Sequence, residues 1–141
     1  MKRKRLIEDK LNNLIKLLLT SGVQPSELAD NVFLSDYKFI KFFKQNHSII
    51  GELTFEEIIG NKSTDIILRY FYDSSKKVVQ IEEEIYGEIT LLWSRESKEA
   101  ELINEIVNLL KELDLNKVSE FISSLPTELS NKIKRELQKV A

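Results

Sequence analysis

Lys38, Lys41 and Lys44 recur every third residue in YKFIKFFKQN, with Tyr37 and Gln45 at the two ends of the run. On a helix this spacing lines three ammonium groups along one flank. That arrangement suits phosphate oxygens, and Tyr37 and Gln45 are placed to meet base edges. The segment has no Arg, so bidentate reading of guanine is missing, and Asp36 opposes a phosphate backbone. The expected chemistry is weak, mostly electrostatic attachment to duplex DNA. Lys2, Arg3, Lys4 and Arg5 would add contacts as a flexible arm. Residues 1–50 hold nine Lys/Arg against five Asp/Glu and residues 51–100 hold six against eleven, an excess that fits a nucleic-acid footprint but by itself reads first as an uneven surface.

Other chemistry lacks its parts. There is no Cys, so disulfides, thiolate metal sites and Cys nucleophiles are excluded. The one His, His47, has no Ser or carboxylate placed by a motif to work with it. The four Gly, at 22, 51, 60 and 87, form neither a phosphate-cradling loop nor a dinucleotide fingerprint. Glu82-Glu83-Glu84 and Glu56-Glu57 read as solvated charged faces. The expectation is a protein that is not an enzyme and takes no metal or other cofactor.

These side chains need elements to position them. Ile7, Leu11, Leu14 and Leu18, flanked by Ile15 and Leu19, predict a first helix stopped at Ser21-Gly22. Pro25 opens a short second helix with Leu28 and Ala29 inward. Ser35 caps a third, running to about Asn46 with Phe39, Phe42 and Phe43 inside. Leu53 to Ile59 reads as another short helix, capped by Thr54 and closed by Gly60. Residues 64–94 alternate apolar and polar side chains. They predict a hairpin across Asp73–Lys77 and a further strand after Gly87, although a helix also fits.

Three amphipathic helices follow. They are capped by Ser97, capped by Asn116 and opened by Pro126, and the last carries Leu129, Ile133, Leu137 and Val140 on one face. No apolar run approaches the ~18 residues of a membrane span. The basic N-terminus is followed by Glu8, Asp9 and Asn residues rather than by the apolar centre of a signal peptide, so a cytoplasmic protein without membrane contact is expected.

In PSELADNVFLSDYKFIKFFKQN, Ala29 is a small residue beside the apolar Leu28. Val32 and Leu34 bracket a turn, and Phe39 and Phe42 follow on an inner face. This order is that of two short helices crossing steeply. The run resembles a helix-turn-helix and is similar to the repeat of AraC-type regulators. The resemblance covers about twenty residues and departs at Phe33, where such turns hold Gly. It implies a second helix whose groove side shows Tyr37, Lys38, Lys41, Lys44 and Gln45.

The sequence thus reads as one domain over residues 1–141, α+β but mainly helical, with residues 1–63 helical, 64–94 a β-hairpin or three-stranded sheet, and 97–141 helical. An all-α fold is the alternative. The function expected is nucleic-acid association. The competing class is an adaptor or assembly subunit, binding a protein partner or a second copy through the C-terminal helices.

Overall fold

The computed structural model describes residues 2–139, so Val140 of the last predicted stripe lies outside the described residues. The chain divides into two compact units. One runs from Thr20 to Glu96; the other joins the residues up to Leu19 with those from Ser97 onward.

The second of these is helical. It is built from α1 (Lys2–Leu19), most of α3 (Arg95–Leu110), α4 (Leu115–Ser123) and α5 (Thr127–Lys139). Pattern dictates packing here. Ile7 and Leu14 of α1 are buried with Ile103, Ile106, Val107 and Leu110 of α3, and Ile122, Leu129 and Ile133 complete the cluster. Each fully buried aliphatic side chain is worth about 1.5–3 kcal/mol relative to exposure. Asp114 caps α4, its carboxylate accepting from the Lys117 backbone N–H at 2.9 Å, so the helix starts before the expected Asn116. Pro126 precedes α5, and its carbonyl accepts the Ser130 N–H at 2.9 Å. The stripes of the three C-terminal helices are therefore largely spent on one another and on α1.

The other unit corrects the expected fold class. It holds α2 (Pro25–Ala29), a 3₁₀ turn (Asp30–Phe33) and five strands: β1 (Tyr37–Gln45), β2 (Ser48–Ile59), β3 (Lys62–Tyr72), β4 (Val78–Ile85) and β5 (Glu88–Ser94). The strands form one antiparallel meander in the order β1-β2-β3-β4-β5. The protein is a sheet-rich α+β fold, neither mainly helical nor all-α. The helix expected from Ser35 to Asn46 is β1, and that expected from Leu53 to Ile59 is the second half of β2. Both segments are rich in β-branched and aromatic residues, which suit a pleated, half-buried surface. The hairpin across Asp73–Lys77 and the strand after Gly87 form as the alternation predicts, but as β3 to β5 of a larger sheet.

Turn chemistry explains why the sheet grows. Three connections are two-residue loops with both residues at positive φ: Asn46-His47 (49° and 68°), Gly60-Asn61 (56° and 67°) and Tyr86-Gly87 (52° and 79°). Type I′ turns demand this, and their twist matches that of the strands they join. The β3–β4 turn is held by Asp73, whose carboxylate accepts the backbone N–H groups of Ser75 and Lys77 at 2.8 and 3.0 Å.

One face of the sheet packs on the chain that precedes it. Leu28 of α2 is buried with Leu53, Tyr72 and Val78, and Val23, Ile40, Ile81 and Trp93 pack around them. The Tyr72 hydroxyl donates to the Val23 carbonyl at 2.7 Å, and burial pushes its pKa up to about 12. At Gly22 (φ 86°) a Cβ would stand 2.9 Å from the Val78 Cγ2, so the chain can press this closely only without a side chain.

Candidate functional site

The residues read as a groove-facing helix lie on β1, and the strand separates them. Lys41 shares a face with Phe39, Phe43 and Gln45, while Lys44 shares the opposite face with Ile40 and Phe42. Lys38 falls at an irregularity in register between Tyr37 and Phe39. The three lysines do not form one stripe, and the second helix that the resemblance implied is a strand. Two of the three ammonium groups are held by carboxylates. Lys38 Nζ lies 2.7 Å from Asp65 and 2.9 Å from Glu56, and the hydrogen bonds it donates to these two carboxylates raise its pKa. Lys41 Nζ lies 3.2 Å from Glu52. Tyr37 sits against Phe55, ring centroids 5.2 Å apart, and packs on the sheet core. Lys2, Arg3, Lys4 and Arg5 are exposed in the first turns of α1 rather than in a separate arm, and Arg3 pairs with Glu112 at 2.8 Å.

The sheet face that carries Lys41 holds a hollow of about 510 Å³, with Phe43, Phe71 and Ile89 among its walls and Arg69 in its lining. Register assembles an ionic cluster there from four strands. Arg69 of β3 stands opposite Glu52 of β2 and Glu82 of β4, and Glu52 stands opposite Lys41 of β1. The guanidinium donates through Nε to Glu52 at 2.7 Å, through one terminal nitrogen to Glu82 at 3.2 Å, and through the other to Glu84 at 2.9 Å. The Arg69 side chain is 17% exposed and that of Glu52 is 10% exposed. Burial opposes the charge on Arg69, yet its hydrogen bonds to Glu52, Glu84 and Glu82 drive its pKa above an already high range. Burial likewise pushes the Glu52 carboxyl up, but the hydrogen bonds from Arg69 and Lys41 outweigh it and leave the pKa below the usual carboxylate range.

These directions keep Arg69 and Glu52 charged at neutral pH, and the ion pairs from Lys41 to Glu82 tie four strands together. Among the described residues no group of three His, Cys, Asp or Glu is arranged to hold a metal ion, and no helix is long and apolar enough to cross a membrane.

What the sheet unit does offer is apolar surface. Val32, Phe33 and Leu34 are consecutive and exposed, by 50%, 87% and 54%. Hydrogen bonds hold them in one geometry: the Asn31 side chain donates to the Leu28 carbonyl at 3.2 Å, and the Leu34 N–H donates to the Asn31 carbonyl at 2.9 Å. The sequence reading sets Val32 and Leu34 around a turn and treats Phe33 as a departure within it. The available signal was that misfit, a bulky apolar residue where a buried turn has no room. Compared with family models, curated proteins and solved structures, the chain matches none of them.

Proposed function

We propose that this chain is a non-catalytic protein-interaction module, an adaptor or subunit that recognises its partner through Val32-Phe33-Leu34. The observation that carries the reading is Phe33, 87% exposed at the end of a hydrogen-bonded turn. A large aromatic held out to solvent is the kind of anchor that dominates interfaces. Seating it in a partner's apolar recess recovers about 1.5–3 kcal/mol. Holding the turn in place beforehand lowers the ordering cost of association. Leu28, four residues before Val32, supplies the inward anchor, so the turn is fixed to the sheet unit while its apolar tip stays outside.

The test places a photoreactive phenylalanine analogue at position 33 of the full chain, in the cells that make it. The expected result is one discrete protein adduct, which weakens at least tenfold when Val32→Ser and Leu34→Ser are added. The reading fails if no adduct forms, or if the same adducts arise from the analogue placed at Lys111, an exposed position in the helical unit.

A further inference from the structure

The face of the sheet that carries Arg69 has a second hollow in line with the first. The first, of about 510 Å³, lies toward the Asn46 end of β1, with Phe43, Phe71 and Ile89 in its walls. The second, of about 600 Å³, lies toward the Lys38 end, with Asp65, Ile67 and Tyr86 in its lining. Glu84 lines both. Arg69 and Asp65, one in each lining, are four residues apart on β3, about 13 Å at the rise of a strand. The charges of this face do not balance: its ion pairs join three cations, Lys38, Lys41 and Arg69, to five carboxylates. The surplus is in acceptors. Glu84 accepts from Arg69 through one oxygen at 2.9 Å, and its other oxygen accepts no hydrogen bond among the described residues. Thr54, on the same face of β2 between Glu52 and Glu56, is buried with its hydroxyl oxygen unpartnered. Buried polar groups are seldom left in that state. The face already seats one cation on an aromatic ring, Lys41 Nζ standing 5.5 Å from the centre of Phe43.

We propose that this face binds an elongated organic cation of the linear polyamine class, its ammonium groups donating to Glu84 and to the carboxylates on either side of it, its methylene chain lying on Phe71, Ile89 and Ile67. Each part of the surface asks for one property of the occupant. The surplus carboxylates ask for positive charge and hydrogen-bond donors. The apolar walls ask for a hydrocarbon body between those donors. Two hollows joined at Glu84 ask for length. A bare metal ion has no use for the walls, and among the described residues no group of three acidic or His side chains is arranged to hold one. Phosphates and other anions meet an excess of their own charge. The site is separate from the Phe33 turn, so it stands or falls apart from the partner proposed above.

The experiment is isothermal titration calorimetry of spermidine into the full chain at low ionic strength, with wild type beside Glu84→Gln and Glu83→Gln. The two substitutions remove the same charge from neighbouring residues of β4, but Glu83 lies on the opposite face of the sheet. Wild type and Glu83→Gln are expected to bind alike, and Glu84→Gln at least fivefold more weakly with its circular dichroism unchanged. Amide chemical shifts of wild type locate the ligand without any variant: they should move around Arg69, Phe71 and Glu84 and stay fixed in the helical unit. The proposal is overturned if wild type does not bind, if the two variants bind equally, or if the shifts move elsewhere. Magnesium that displaces spermidine at equal concentration overturns it as well, leaving only a layer of counter-ions. Trilysine that binds more tightly than spermidine overturns it in favour of a basic peptide.

Discussion

The helical unit and the sheet unit solve the problem of burial in different ways. In the helical unit the buried cluster is aliphatic throughout, from Ile7 and Leu14 to Ile133, with Leu11, Leu18, Phe121 and others packed around it. In the sheet unit one face closes over Leu28, Leu53, Tyr72 and Val78, while the other is organised around a guanidinium and three carboxylates. The first unit is held chiefly by area removed from water, a contribution that does not depend on protonation. The second adds interactions whose strength depends on which groups are charged.

The sharpest test of the aliphatic core is Ile106→Ala, at a fully buried position in α3. A cavity there should cost about 4 kcal/mol in denaturant unfolding. Amide exchange should quicken in α1, α3 and α5 more than in the strands. Equal loss in both units would show that they unfold as one and would dissolve the contrast.

Arg69→Ala strikes the ionic cluster. It leaves Glu52, Glu82 and Glu84 together without their common partner, and should cost about 2–3 kcal/mol, less than for a fully buried pair because the cluster is partly exposed. Arg69→Met combined with Gln at the three Glu positions should recover most of the loss.

The same cluster gives the unit an acid limit. Glu52 has its pKa lowered in the folded state, so it contributes stability above the ordinary carboxylate value of 4.5, and this is lost as pH falls through the lower folded value. Urea midpoints followed downward from pH 6 should fall at that point in wild type and show a smaller drop in the Met/Gln variant.

At the alkaline end the sign reverses. Tyr72 is raised from 10 to about 12, so its contribution is complete below pH 10 and declines as pH rises toward 12. Tyr72→Phe should lose about 1 kcal/mol at neutral pH, with the Val23 carbonyl left without its donor, and should flatten that alkaline decline.

The smallest expected effect is Asp114→Ala, which removes the α4 cap and should cost about 0.5 kcal/mol without any change in the sheet's pH response.

The same contrast separates what could be read from the sequence from what could not. In α1, α3 and α5, apolar residues recur at the helical period because each helix faces a single core, so periodicity locates them. In β1 the aromatic spacing Phe39, Phe42, Phe43 imitates that period, but Phe39 and Phe43 lie on one face of a strand and Phe42 on the other. Gly60 looked like a helix terminator when read alone. Read with Asn61 it is the two-residue turn of a hairpin, and Asn46-His47 and Tyr86-Gly87 are turns of the same kind without the familiar Asn-Gly order. The Arg69 cluster was illegible for a further reason. Its carboxylates lie 13 to 17 residues from Arg69 in sequence and meet it only once the strand register is known.

The interruption of the helical unit by the sheet also sets an order of events during synthesis. The meander pairs each strand only with its neighbours in the chain, so residues 20–96 can close their contacts as they emerge. α1 leaves the ribosome before the sheet, yet the partners of Ile7 and Leu14 emerge only after it. Its apolar stripe must wait, uncovered, until the helices that follow the sheet have been made. A nascent chain stalled before Ile103 is then a form exposed to chaperones and to aggregation, with α1 still unsheltered.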